Sequence, residues 1–134
     1  MKYLFVLLIS FSLNALELSP GAPNASVYFI SPNNNESIAG KVIVRFGLEN
    51  FGIAPAGIQF THTGHHHLII DADLPPLDQP IPADENYVHF GKGQSEVEVA
   101  LSKGTHTLQL LLGDFRHIPH NPPIYSKRIT IKVD

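Results

Sequence analysis

Thr61-His62-Thr63-Gly64-His65-His66-His67-Leu68-Ile69-Ile70-Asp71 is the stretch that most constrains both the fold and the chemistry of this chain. It places four of the eight histidines against a short apolar run whose length and isoleucine content suit a strand. Side chains two apart on a strand share a face, so His65 and His67 project together while His66 points the other way with Leu68 and Ile70. The stretch therefore predicts a strand with two imidazoles on one face.

The same alternation of apolar and polar residues recurs in short runs on both sides of this stretch, separated by clusters of Pro, Gly and Asn. It predicts seven strands, at residues 26–30, 41–48, 66–70, 87–90, 95–101, 106–112 and 126–133. No segment has a convincing helical period. Seven short antiparallel strands in about 110 residues fit an all-β, immunoglobulin-like β-sandwich. Two long loops are expected, at 49–64 and 72–86, the second containing four prolines.

The first fifteen residues have one lysine, a short apolar run and a small residue, Ala15, which is typical of a secretory signal peptide. The apolar run is shorter than the ~20 residues that a membrane span needs. We therefore expect a signal peptide at 1–15, a short linker at 16–25 and a single β-sandwich domain at 26–134. A periplasmic or secreted protein without a membrane span after cleavage follows from this division.

Composition excludes several kinds of function. The formal net charge is −3 and no basic cluster is present, so nucleic acid is not an expected partner. The chain has no cysteine, which rules out disulfides, thiolate metal ligands and cysteine nucleophiles. It also lacks a nucleophile elbow and a glycine-rich phosphate loop, so a binding protein is favoured over an enzyme.

Histidines outside the opening stretch extend the candidate site. In a sandwich, loops and strand ends gather at two poles, where distant residues can meet. The candidate metal ligands are His65, His67, His89, His117 and His120. Asp71 and Asp114 are candidate acceptors that would orient a ligating imidazole, although carboxylates at strand ends are more often turn caps. Nitrogen ligands without sulfur suit Zn(II), Cu(II) or Ni(II).

Several blocks of this sequence resemble the bacterial domain-of-unknown-function family numbered 4399. The resemblance covers roughly residues 27–133 and implies an exported, immunoglobulin-like single domain with no established activity. The blocks are Ala54-Pro55-Ala56-Gly57, Thr63 to Asp71, Asp73-Leu74-Pro75-Pro76-Leu77-Asp78, His89-Phe90-Gly91-Lys92-Gly93-Gln94, and Thr107 to Asp114 through His117-Ile118-Pro119-His120.

Three interpretations of the histidines stay open. In the first, an exported binding module holds Zn(II) or Cu(II). In the second, the histidines fasten the loops by hydrogen bonds, and the domain recognises an envelope protein through exposed aromatic residues, with Phe51, Phe60, Phe90 and Phe115 as candidates. The third is a metal-dependent enzyme, which needs an open coordination position. Ring nitrogens that converge within about 4 Å would favour metal, and rings pointing at backbone carbonyls would favour hydrogen bonding.

The remaining histidines have simpler expected roles. We expect His66 to pack in the core, His106 to be structural at the start of a strand, and His62 to be a solvated loop residue.

Overall fold

The computed structural model describes residues 15–134, and within them it contains nine strands and no helix. The strands are β1 (Ser26–Ser31), β2 (Glu36–Ile38), β3 (Val42–Glu49), β4 (Gly52–Ile53), β5 (Thr63–Ile70), β6 (Tyr87–His89), β7 (Glu96–Val99), β8 (Gly104–Gly113) and β9 (Ile129–Val133). Each of the seven predicted strands overlaps an observed one. The two that alternation did not predict, β2 and β4, have three and two residues.

The strands form two sheets. One has the order β1-β3-β7, and the other has the order β2-β9-β8-β5-β4, with β6 also pairing with β5. Most pairs are antiparallel, as predicted, but β2–β9 and β4–β5 are parallel. Strands β7 and β8 are joined by only a few residues and nevertheless lie in different sheets.

The main core lies between the two sheets. Alternate residues of β3, Val42, Val44 and Phe46, are buried in one cluster with alternate residues of β8, among them Leu108 and Leu110. Alternation places one face of each strand in this core, and burial of that apolar face supplies the driving force for packing. The all-β, sandwich-like arrangement that the sequence predicted is therefore confirmed.

Strand β5 differs from the others because it is buried on both faces from Gly64 to Ile70. Its inner face joins the main core. On its outer face, Ile69 packs with Leu111 of β8 and with Ile81 in a second, smaller cluster. Ile81 belongs to the segment 71–86 between β5 and β6, so this segment covers the outer face of the sheet. His65 and His67 point toward that covered face.

Residues 16–25, predicted as a linker, are hydrogen-bonded to the segment that follows β8. The Ser19 hydroxyl donates to Asp114 Oδ2 at 2.7 Å, and the Gly21 amide donates to the Asn121 carbonyl at 2.9 Å. The predicted signal peptide, apart from Ala15, lies outside the described residues. In residues 15–134, no helix has the length and apolar character that crossing a bilayer requires.

Candidate metal centre

Strand register brings the first histidines together. His67 on β5 lies directly opposite His89 on β6, and His65 lies opposite Gly113 on β8. Residues directly opposite on antiparallel strands project from the same face, so His65, His67 and His89 share one face of the sheet. The ring centroids of His65 and His67 are 4.6 Å apart, whereas His66 stacks on Phe46 at 4.6 Å on the core side. Both predictions, the shared face and the core position of His66, are confirmed.

A turn after β8 adds His117. The His117 amide donates to the Asp114 carbonyl at 2.8 Å, and His117 has a positive φ of 64°, which non-glycine residues adopt rarely. Its carbonyl accepts a 2.8 Å hydrogen bond from the Ile81 amide, which ties the covering segment to the turn. Unusual backbone of this kind persists where the surroundings over-determine it, and it clusters at functional sites.

Asp114 builds this turn. Its carboxylate accepts hydrogen bonds from the backbone amides of Arg116 and Ile118, from the Ser19 hydroxyl and from the Arg116 guanidinium. Burial alone would raise the pKa of Asp114, but these hydrogen bonds hold it below its usual value. Asp114 thus positions His117 through the backbone, and its oxygens are engaged by donors other than imidazole.

The result is a compact group of imidazoles. His65 Nε2 and His117 Nδ1 are 3.0 Å apart, and one nitrogen donates to the other. One nitrogen from each of His65, His67 and His117 lies within 4.8 Å of the others. The 4.8 Å limit for the three nitrogens is wider than the about 4 Å expected for a metal site, whereas the 3.0 Å between His65 and His117 is shorter than that. The exposed His89 stands beside them, with its ring centroid 5.0 Å from that of His117 and 6.0 Å from that of His67.

Burial disfavours the charged form of the His65, His67 and His117 rings. Burial, followed by the neighbouring imidazoles, lowers the pKa of His65 to about 4 and that of His67 to about 2. Burial and the proximity of His89 also lower the pKa of His117. A neutral imidazole has a free lone pair, which is the form that coordinates a metal ion.

His67 is the most unusual of the group. Its side chain is 1% exposed, and neither ring nitrogen has a hydrogen-bond partner among residues 15–134. His65 Nδ1 is likewise unpartnered. A buried polar atom left without a partner costs about 1–3 kcal/mol, so unpaired groups of this kind require an explanation. A bound ion is one.

Two glycines make room for the rings. A Cβ on Gly113 would lie 2.6 Å from Cε1 of His67, and a Cβ on Gly91 would lie 3.0 Å from Nε2 of His89. No real Cβ tolerates the first distance, so the His67 ring occupies space that only glycine leaves open at position 113. Periodicity did not single out Gly113, although it directly follows the predicted strand 106–112.

The structure does not bring the other predicted residues into this group. His120 Nε2 donates to the Thr63 carbonyl at 3.0 Å, and its ring packs edge-on against Phe51. Asp71 lies beyond the far end of β5, where its carboxylate accepts from His106 Nδ1 at 2.7 Å and from the Thr107 amide.

His106 also donates to the Ser102 carbonyl, which confirms its structural role. Of the four candidate aromatic residues, only Phe60 is exposed, at 72%; Phe51 and Phe115 are partly buried and Phe90 is buried.

Comparison with known proteins assigns the chain to a family. The family described as Domain of unknown function (DUF4399) matches residues 44–134, about two thirds of the sequence, and the protein belongs to it. The matched part includes β5, β6, β8 and the His117 turn. No curated protein and no solved structure matches the chain.

Proposed function

We propose that this protein is an exported binding module for a transition-metal ion, held by His65, His67 and His117 with His89 beside them. The observation that carries the proposal is the His67 imidazole, which is fully buried, neutral and without a hydrogen-bond partner among the described residues while facing two other imidazoles. Three imidazoles, each with one nitrogen within 4.8 Å of the others, are an arrangement that a divalent cation can satisfy once coordination replaces the His65–His117 hydrogen bond.

Loop fastening accounts for other histidines but not for this one. His106 and His120 each donate to a backbone carbonyl, as that interpretation requires. Among residues 15–134, the ring nitrogens of His65 and His117 hydrogen-bond only to each other, and those of His67 have no partner within hydrogen-bond geometry. Holding loops therefore gives no reason to bury His67, whose desolvation is unfavourable unless a ligand replaces the lost water.

The donor set favours Zn(II) or Cu(II). It consists of imidazole nitrogens, and sulfur ligands are excluded apart from Met1 because the chain has no cysteine. Zn–N bonds of about 2.1 Å in a tetrahedral site put ligand nitrogens about 3.4 Å apart. The present maximum of 4.8 Å must therefore contract on binding. His117 lies on a turn rather than on the sheet and is the ligand best placed to move.

Export and the immunoglobulin-like type of sandwich belong to the same proposal. The lysine, apolar run and small residue at positions 1–15 support export to the periplasm or medium. Strand number and the two-sheet packing support the fold type. We favour binding over catalysis because none of the described residues lining the cleft beside the imidazoles is a carboxylate that could act as a general base.

Competition between the protein and a chelator of known strength tests the metal site. Untagged protein is titrated with Zn(II) and with Cu(II), because a histidine tag would compete. We expect one ion to bind per chain with sub-micromolar affinity, and the double substitution His65→Ala/His67→Ala to abolish binding. His62→Ala is the matched control, since His62 lies outside the cluster. Binding that survives the double substitution, or that is no stronger than that of scattered surface histidines, contradicts the proposal.

A further inference from the structure

A cleft of about 230 Å³ opens onto the imidazole cluster. It is lined by His67, His89 and His117, by residues 80–83 of the covering segment, and by Arg116. Its volume corresponds to about eight waters at the ~30 Å³ that each occupies in the liquid. This is enough room for a small organic molecule.

The cleft wall is apolar on one side and cationic at Arg116. Pro80, Ile81, Pro82 and Ala83 contribute only hydrocarbon side chains. No carboxylate lines the cleft. The nearest acid along the chain, Asp84, instead accepts hydrogen bonds from the amides of Asn86 and Tyr87.

Hydrogen bonds orient the Arg116 guanidinium but do not occupy all of its N–H donors. Nε and Nη2 donate to Asp114 Oδ2, and Nη2 also donates to the Glu17 carbonyl. Within residues 15–134, Nη1 makes no hydrogen bond, and the side chain is 32% exposed. An oriented guanidinium with a free N–H is a donor suited to a carboxylate oxygen.

Three neutral imidazoles would not reduce the double charge of a bound metal ion, and the nearby Asp114 carboxylate is already paired with Arg116. An anion entering the cleft would meet this charge in a site largely shielded from water, where Coulomb attraction is stronger than in bulk solvent. Three protein ligands also leave a fourth position of a tetrahedral ion free.

We propose that the metal-loaded cleft binds a small carboxylate, with its head group between the metal ion and Arg116 and its hydrocarbon part against residues 80–83. The proposal rests on the metal-binding function proposed above. It names the class of ligand that the site receives.

Cobalt(II) serves as the probe metal because its visible absorption reports a change in coordination. Protein fully loaded with Co(II) is titrated with acetate and with butyrate. Each buried CH₂ is worth about 0.8 kcal/mol, or about fourfold in affinity, so we expect butyrate, with two more CH₂ groups, to bind roughly fifteenfold more tightly than acetate.

Variants separate the cleft from the metal alone. Arg116→Gln is expected to weaken butyrate binding at least about tenfold, because a charge-assisted hydrogen bond is lost. Ala83→Asp, at an exposed position, should weaken it by charge repulsion, whereas the uncharged Ala83→Asn should not. Arg128→Gln is the matched arginine control, since Arg128 pairs with Asp73 away from the cleft.

The outcomes distinguish the two proposals. Failure of Co(II), Zn(II) and Cu(II) all to bind overturns the metal site and the carboxylate site together. Co(II) binding with an absorption spectrum that neither carboxylate changes overturns only the carboxylate site. A spectral change that is equal for acetate and butyrate, or that Arg116→Gln and Ala83→Asp leave unaltered, also overturns it, because the anion would then contact the metal without the cleft.

Discussion

Replacing His67 with leucine should stabilise the metal-free protein while abolishing metal binding. The imidazole is 1% exposed and its two nitrogens have no partner among the described residues. Each such atom costs about 1–3 kcal/mol. Leucine has a similar volume and no polar atoms, and imperfect shape costs about 1 kcal/mol. With each atom near the lower end of that range, at about 1–1.5 kcal/mol, the net expectation is a free energy of unfolding about 1–2 kcal/mol higher than that of the natural protein.

Urea unfolding at pH 7.5 measures this difference, first with a chelator present and then with excess Zn(II). A ligand at one hundred times its Kd stabilises the folded state by about 2.7 kcal/mol. We therefore expect the order of stability to reverse: the leucine variant is the more stable protein without zinc, and the natural protein is the more stable with zinc.

His120→Leu is the matched control. It removes the hydrogen bond from His120 to the Thr63 carbonyl. The loss should destabilise the protein by about 1–2 kcal/mol under both conditions and leave the gain from zinc intact.

Two results would refute the reasoning. A His67→Leu protein that is less stable than the natural one by more than about 1 kcal/mol without metal would mean that the imidazole stabilises the fold. An equal gain from zinc in both proteins would place the metal elsewhere.

Three further predictions follow from other contacts. Burial lowers the pKa of His65 and of His66 to about 4 and that of His67 to about 2. Protonation of these imidazoles therefore costs no stability above their unfolded pKa of 6.5, but the free energy of unfolding falls as pH drops below that value, by up to about 4 kcal/mol per pH unit for three protons. An acid-unfolding midpoint below pH 4, followed by circular dichroism without metal, would contradict this expectation. Gly113→Ala places a methyl group against the His67 ring, so zinc affinity in the chelator competition should fall at least about tenfold, with a stability loss of about 1–3 kcal/mol. Asp71→Asn keeps a residue that tolerates the positive φ of 53° at this position but weakens the pair with His106. The hydrogen bond from His106 to Asp71 raises the pKa of His106, so the pair is strongest while the imidazole is charged. The loss of stability measured in urea, about 1 kcal/mol, should therefore be larger at pH 6 than at pH 8, where the imidazole loses its charge.

The local sequence pattern was sufficient to predict most of the strands. Alternation identified every strand long enough to show it, because a strand with one buried face needs apolar residues at every second position. The same rule separated His65 and His67 from His66, and the structure puts His66 on Phe46 and the other two together on the outer face. The absence of cysteine had already restricted any metal to nitrogen and oxygen ligands.

Only the tertiary structure decided which of the distant histidines join that pair. His117 and His120 are three residues apart, yet the turn built by Asp114 directs His117 to the cluster while His120 bonds to Thr63. His89 lies near the cluster because the strand register places it opposite His67. The covering segment, residues 71–86, is held there by the hydrogen bond from the Ile81 amide to the His117 carbonyl. Alternation of apolar and polar residues can be seen in neighbouring positions of the sequence. Strand register and loop placement instead depend on the total burial of residues far apart in the chain, and no local pattern contains that information.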